Sequence, residues 1–112
     1  MEIHSEIYKL EDICDVSFKT VPRGFFTSET SQIALDYHSL LLNLQKGDSV
    51  QLKFYSKKPE ILKNIYLMAG SVYKIEENTF ECSFGGLLLL YKGHFNGNIS
   101  EDDEIFVSIS KI

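Results

Sequence analysis

Residues with metal-binding side chains are scattered along this chain rather than grouped. His4, His38 and His94 lie far apart, and none has a partner at the i,i+4 spacing that lets two imidazoles share a zinc ion on a helix. The acidic run 101–104 is rich in carboxylates, but adjacent residues on a tight turn point in different directions. We therefore expect solvated surface histidines, a solvated acidic turn, and neither a metal nor a cofactor.

Nucleophilic groups form no catalytic pattern either. No serine lies in a nucleophile elbow, and Gly85-Gly86 lacks the following helix and the lysine of a phosphate-binding loop. Cys14 and Cys82 match no metal-type spacing. Cys82 lies on the apolar face of an alternating segment, which indicates a small buried hydrophobe in a reducing compartment. These features predict a protein that is not an enzyme.

One group of residues contains the ingredients of a nucleic-acid-binding face. In single-strand-binding proteins, lysines follow the phosphates while aromatic rings stack on the bases. The chain as a whole has 11 basic and 16 acidic residues and a net charge of −5, which argues against nucleic acid as its main ligand. Binding of single-stranded nucleic acid is therefore the alternative hypothesis, and it uses Lys53, Lys57, Lys58, Lys63, Phe54, Tyr55 and Tyr66.

Length and composition predict one ordinary globular domain over residues 1–112. The chain is 44% hydrophobic and 24% charged, which is enough apolar material for a single core. No apolar run approaches the roughly 20 residues of a membrane span, and no apolar leader follows Met1. We expect a chain that neither spans a membrane nor carries a standard secretion signal.

Alternation of apolar and polar residues predicts about eight short strands. Ser49–Tyr55 and Thr79–Phe84 show the two-residue period of half-buried strands most clearly. Turn residues separate the predicted strands, which is typical of a small antiparallel barrel or sandwich. The other predicted features are a strand at Ile3–Leu10, a strand from Val16 to Thr20 interrupted by Pro22 and Gly24, a Phe25-Phe26 loop, a turn at Thr27–Gln32, a turn at Lys46–Asp48 and a linker at Ser56–Asn64.

Periodicity leaves one segment undecided. Apolar residues in Ile33–Leu44 fit both a helical stripe and one face of a strand. The pattern by itself selects neither.

Two neighbouring segments carry more apolar surface than one barrel core can bury. Ile65–Ile75 and Leu87–Leu90 are apolar on both faces of the predicted strands. Exposed, contiguous apolar surface marks interaction sites, so a partner protein is the direct inference. The alternative is a cover within the chain, formed by the N-terminal segment or by the Phe25-Phe26 loop.

Two motifs in this region resemble those of a known family. Residues 66–76 read Tyr-Leu-Met-Ala-Gly-Ser-Val-Tyr-Lys-Ile-Glu, residues 83–88 read Ser-Phe-Gly-Gly-Leu-Leu, and Gly93 follows. They resemble the Tyr-x-Met-x-Gly-x-x-Tyr-(Lys/Arg)-(Phe/Ile)-Glu strand and the Ser-(Phe/Tyr)-Gly-Gly-Leu-Leu turn of the eighth subunit shared by eukaryotic nuclear RNA polymerases I, II and III. The N-terminal half matches more loosely, through Glu6-Ile7-Tyr8, Leu35-Asp36 and the Gly47-Asp48 turn.

The resemblance implies a fold and a role. The fold is an all-β, single antiparallel barrel of eight to nine strands with oligonucleotide/oligosaccharide-binding (OB) topology, in which Ile33–Leu44 is a strand. The role is that of a non-catalytic structural subunit that docks on the largest polymerase subunit, with neighbouring small assembly subunits as further partners. It implies a nuclear location, in nucleoplasm and nucleolus, and no homo-oligomer. The short linker at Ser56–Asn64 departs from the longer acidic insertion of the family.

The resemblance also directs attention to the two motifs as a protein interface. Without Cβ atoms, Gly85 and Gly86 let a partner backbone approach closely, with Phe84 and Leu87 as flanking apolar anchors. The interface residues expected on this basis are Tyr66, Met68, Gly70, Tyr73, Phe84, Gly85, Gly86, Leu87 and Leu88.

Overall fold

Alternating segments become strands in the computed structural model, which describes residues 2–18, 20–60 and 65–112. Ser49–Tyr55 and Thr79–Phe84 are strands with the predicted bounds, and their alternate apolar residues face inward. The strands of the described chain are β1 (Glu2–Phe18), β2 (Val21–Thr27), β3 (Ser31–Asp36), β4 (Ser49–Tyr55), β5 (Tyr66–Glu76), β6 (Thr79–Phe84), β7 (Leu87–Gly93) and β8 (Glu104–Lys111).

These eight strands close into one antiparallel barrel. Their order around the barrel is β1-β2-β3-β7-β6-β5-β8-β4, and β4 pairs with β1 to complete the circle. The prediction of an all-β, eight-stranded antiparallel barrel is confirmed, while OB-like topology stays a prediction. The described residues include no helix long and apolar enough to cross a membrane.

Aromatic rings fill one part of the barrel interior. Phe80 and Tyr91 stack with ring centroids 4.7 Å apart, and Phe54 meets Tyr91 edge-on at 5.8 Å. Such pairs each add about 1 kcal/mol beyond the burial of their surface. Cys82 is buried in the same core, as predicted, and burial raises the pKa of its thiol to about 12.

The N-terminal strands differ from the predicted ones. β1 is one continuous strand as far as Phe18, and register shifts at 10–12 and 15–18 bend it, so that it pairs first with β4 and then with β2.

β2 runs through Pro22 and Gly24, which were predicted to interrupt a strand. Phe25 and Phe26 therefore lie in β2, and the predicted loop was wrong. The predicted turn at Thr27–Gln32 is shorter, because β3 already begins at Ser31.

The undecided segment is a strand only at its beginning. β3 ends at Asp36, so a strand over all of Ile33–Leu44 was wrong. The chain turns beyond this point, where the amides of Leu41 and Leu42 donate to the His38 carbonyl. Leu42 is buried in the core while Leu41 is 73% exposed. A compact turn buries alternate leucines less regularly than a strand, which explains the mixed periodicity.

Two other predicted connections can be compared with the structure. Lys46–Asp48 forms the predicted turn, with Gly47 at a φ of 96°. Of the predicted linker, residues 56–60 lie outside any strand, and residues 61–64 lie outside the described part of the chain.

A carboxylate joins β1 to the β2–β3 turn. Glu6 accepts hydrogen bonds from the hydroxyls of Ser28, Thr30 (2.6 Å), Ser31 (3.1 Å) and Tyr8 (3.2 Å). We call this arrangement the Glu6 clasp. β1 is not paired with β2 at this level, because their ladder begins at Lys9, so side chains replace backbone bonds across the gap.

His4 extends the clasp into the core, where it was not expected. It is 4% exposed, so its prediction as a solvated surface histidine was wrong, whereas His38 and His94 are exposed. The His4 Nδ1 accepts a hydrogen bond from the backbone N–H of Asn96 at 3.2 Å, which assigns the ring proton to Nε2. Nε2 lies 3.0 Å from the Tyr91 hydroxyl and 3.3 Å from Glu6.

The clasp predicts a loss of stability in acid. Burial lowers the pKa of His4 from 6.5, so below this value the unfolded chain binds a proton that the folded chain resists. Burial raises the pKa of Glu6, but the hydrogen bonds from Ser28, Thr30, Ser31 and Tyr8 outweigh it, and the net pKa lies below 4.5. The Glu6 contribution is therefore complete above about pH 4.5 and is lost as the pH falls through its lowered pKa.

We expect the urea-unfolding midpoint to fall between about pH 7 and about pH 5, and again below about pH 4.5. His4→Gln should flatten the first of these slopes and leave the second. A midpoint independent of pH between about 7 and 5 in the wild-type chain would contradict the assignment to His4.

Candidate protein interface

The two motifs of the expected interface are neighbours in the barrel. β5 pairs with β6 from Ser71 opposite Ser83 onward, and β6 pairs with β7 through Ser83 opposite Leu88 and Phe84 opposite Leu87. The hairpin turn Gly85-Gly86 therefore lies close to the middle of β5.

Two of the expected residues belong to the core rather than to the outer face. Met68 is 5% exposed and Phe84 is 6% exposed, and both pack in the core cluster. Strand alternation explains the placement, because Met68 shares the inward face of β5 with Val72. Phe84 as an apolar anchor at the surface is thus corrected: its ring fills the interior.

The end of β6 passes very close to Gly70 of β5. A Cβ atom on Gly70 would overlap the Ser83 carbonyl oxygen and lie 2.7 Å from Phe84 Cδ1. Because glycine has no Cβ atom, β6 can approach β5 closely at this position. The fold of the chain is therefore sufficient to explain the glycine in the motif, and no partner protein is needed.

The Gly85-Gly86 turn is open to solvent. Both glycines are exposed, with φ angles of 66° and 97°, and no residue beyond the immediate chain neighbours lies within 4 Å of the position of either Cβ. Positive φ explains why glycine occupies both positions. The empty surroundings leave room for another molecule next to the turn.

Leucines of β7 alternate between the core and the outer face. Leu89 is fully buried, whereas Leu88 is 39% and Leu90 44% exposed. Leu90 lies opposite Ala34, which lies opposite Phe25 on β2. Phe25, Ala34, Leu88 and Leu90 form what we call the outer apolar stripe, and Leu87 is half-buried against the core beside it.

Sequence reasoning missed Phe25 as part of this surface. It placed Phe25 in a loop that could fold over the apolar strands, whereas Phe25 contributes to the stripe from β2 and is itself 39% exposed. Two consecutive phenylalanines in one strand must point to opposite faces, and this signal was available in the sequence. A cleft of about 290 Å³ lies along Phe25, Ala34 and Leu90.

Polar contacts fix the border of the stripe. Arg23 donates two hydrogen bonds to Asp36, at 2.7 and 3.2 Å, and the same carboxylate accepts the Leu88 amide at 3.1 Å. Tyr73 is 44% exposed, and its hydroxyl donates to Glu81 at 2.8 Å. This hydrogen bond raises the pKa of Tyr73. The surface combines exposed apolar groups with polar groups that already have partners.

The alternative nucleic-acid face is only partly assembled. Phe54 is fully buried and cannot stack on a base, and Lys53 lies 3.7 Å from Glu2 in an ion pair. The Tyr55 hydroxyl lies 3.3 Å from the Ser108 hydroxyl, while Lys57 and Lys58 are exposed. Tyr66 is half-buried, and its hydroxyl accepts a hydrogen bond from the His38 backbone amide at 3.3 Å. Lys63 lies outside the described residues.

Candidate metal ligands are not brought together in the described part of the chain. Over residues 2–18, 20–60 and 65–112, no three His, Cys, Asp or Glu side chains are close enough to share an ion. The acidic residues 101–104 are exposed, as expected. Comparison with models of known protein families and with curated protein sequences finds no match for this chain.

Proposed function

We propose that this chain is a non-catalytic structural subunit of the nuclear RNA polymerases I, II and III. In this role it docks on the largest subunit, supports assembly and stability of the transcribing enzyme, and works in the nucleus. The observation that carries the proposal is the pair of motifs on β5 and the β6–β7 turn, which resemble the shared eighth subunit in order and spacing.

Surface features support a protein partner. Next to the glycine turn, Leu88 and Leu90 expose apolar side chains. A partner protein that covers these side chains removes apolar surface from water, which favours binding. The net charge of −5 and the burial of Phe54 make a polyanion a poorer partner for the same barrel.

Affinity purification of the tagged chain from its own cells, followed by mass spectrometry, tests the proposal. We expect the two largest polymerase subunits at near-equal stoichiometry with the chain. Recovery of the chain alone, or with nucleic acid and no polymerase, would contradict the proposal. Binding of short single strands that weakens steeply with salt would then favour the nucleic-acid alternative.

Gly86→Glu is expected to reduce recovery of the polymerase subunits while the barrel stays folded. A glutamate on this exposed turn places a charge and three side-chain carbons where a partner backbone approaches, and no residue beyond the two chain neighbours lies within 4 Å of the new Cβ atom. The cost to folding is the strain of a positive φ, about 1 kcal/mol.

Gly47→Glu is the matched control, because Gly47 has a φ of 96° beside 97° for Gly86 and equally open surroundings. Both variants should lose similar stability in thermal unfolding, and only Gly86→Glu should lose assembly. Equal recovery of polymerase subunits by the two variants would exclude the turn from the interface.

A further inference from the structure

The first half of β5 has an unpaired edge. β5 pairs with β8 along Tyr66 to Ser71, but its pairing with β6 begins only at Ser71. Beyond this point β6 leaves β5 and turns at Gly85-Gly86. Among the described residues, the segment 66–69 therefore has a neighbouring strand on one side only.

The hydrogen-bond pattern identifies which backbone groups point toward this edge. The Val72 amide donates to the Asp103 carbonyl at 2.9 Å, and the Val72 carbonyl accepts the Asp102 amide at 2.6 Å, so Val72 bonds toward β8. Bonding direction alternates along an antiparallel strand, and the β5–β8 register is continuous from Tyr66. Tyr66, Met68 and Gly70 therefore also bond toward β8.

Leu67 and Ala69 consequently direct their amides and carbonyls to the open side. On this side, neither residue forms a backbone hydrogen bond to another described residue. Two donors and two acceptors are thus presented in line, at the spacing of a β-strand. Such an edge is a template for one more strand.

A cleft lined by residues of apolar type lies at the beginning of the same edge. It measures about 510 Å³ and is lined by Leu41, Leu42, Ile65, Tyr66 and Leu67. Leu41 and its neighbour Leu40 are 73% and 82% exposed. The His38 backbone amide donates to the Tyr66 hydroxyl at 3.3 Å, and this hydrogen bond joins the turn at residues 38–42 to β5. The cleft therefore suits an apolar side chain of a segment that lies along the edge.

We propose that an extended segment of the partner protein binds this edge as an added strand, with backbone bonds to Leu67 and Ala69 and an apolar side chain in the cleft. The inference rests on the proposed function, and the partner is accordingly the largest polymerase subunit. Gly85-Gly86 lies where the added strand meets the end of β6, and its empty surroundings let that strand pass.

The charge of the chain favours this occupant over a second copy of the same chain. Two copies with a net charge of −5 each repel one another, and the edge supplies only two bonding residues per copy. A partner segment without excess acidic residues meets no such repulsion.

Amide hydrogen exchange of the isolated full chain tests the edge itself. The amides of Met68 and Gly70 bond to β8 and should be protected, whereas those of Leu67 and Ala69 should exchange at least about 100-fold faster. Equal protection of all four amides would show that the edge is covered within the chain, or by a second copy if the chain is dimeric, and would overturn the inference.

Ala69→Pro tests the occupant. Proline removes one of the two amides that point to the open side and leaves every bond to β8 in place, which a sheet edge tolerates. We expect recovery of polymerase subunits to fall about tenfold, with the far-ultraviolet circular dichroism of the barrel unchanged. Ala69→Thr keeps the amide and has a high strand propensity, so it should assemble like the wild type.

The possible results separate the two proposals. If wild-type chain and Ala69→Pro recover polymerase subunits equally, the added strand is refuted while the proposed function stands. If Ala69→Pro does not fold, the β5 amides were not arranged as inferred, and this also refutes the added strand. If the wild-type chain recovers no polymerase subunit, the proposed function fails and the named occupant fails with it.

Discussion

Gly70→Ala is expected to lower the free energy of unfolding by about 3 kcal/mol, at the upper end of the cost of overpacking. The new Cβ atom overlaps the Ser83 carbonyl oxygen, which belongs to the backbone of β6 and cannot rotate away. The β5–β6 ladder must open at Ser71 to relieve the overlap. Urea unfolding, followed by intrinsic fluorescence of the tyrosines, measures the loss.

Gly86→Ala separates steric overlap from backbone strain. Its Cβ atom has open space, so only the positive φ opposes the change, at about 1 kcal/mol. Ala69→Ser, one residue from Gly70 on the exposed face of β5, should stay within about 0.5 kcal/mol of the wild type. If Gly70→Ala were no more costly than Gly86→Ala, β5 and β6 would lie farther apart than the structure places them.

Glu6→Ala is expected to destabilise the barrel by about 2 kcal/mol or more. The substitution removes the acceptor for four hydroxyl groups and leaves those of Tyr8 and Ser31 without their carboxylate partner in a largely buried setting. A buried donor that loses its acceptor costs about 1–3 kcal/mol. Local opening of the β2–β3 turn should accompany the loss, visible as faster amide exchange at Ser31, whose amide bonds Ser28 Oγ at 3.1 Å.

Glu11→Ala is the matched control on the same strand. Glu11 is exposed and accepts a single hydrogen bond, from the Thr27 hydroxyl at 2.9 Å, so its loss should change stability by less than about 0.5 kcal/mol. Glu6→Gln keeps one acceptor oxygen and should be intermediate. Equal effects of Glu6→Ala and Glu11→Ala would mean that the clasp contributes nothing beyond an ordinary surface contact.

Predictions that depend on neighbouring residues agree with the structure better than predictions that depend on residues far apart in the chain. The alternation in Ser49–Tyr55 predicted both the strand and its buried face, because a strand places successive side chains on opposite faces whatever lies beside it. The surplus of apolar residues at Leu87–Leu90 likewise predicted exposed leucines, and Leu88 and Leu90 are exposed. Both conclusions need only the geometry of a single strand.

The errors arose where a distant segment decides the structure. His4 was expected at the surface, but Asn96, 92 positions away, donates to it in the core. Phe84 was expected as an outer anchor, but it lies inside the barrel against Gly70. Pro22 and Gly24 were expected to break a strand, but β1 and β3 hold β2 in the sheet on both sides. Local propensity yields to such pairing, because tertiary hydrogen bonds and burial outweigh it.

The all-β class, the strand-like core segments and the two motifs that support the proposed role can be recognised from the amino-acid order alone. These features follow from side-chain periodicity and from the conformational freedom of glycine, which are properties of neighbouring residues. The closure of the barrel, the Glu6 clasp, the outer apolar stripe and the open edge at Leu67 and Ala69 become visible only in the folded chain. Each of these depends on which strands lie side by side, and strand pairing is set by the packing of the whole chain.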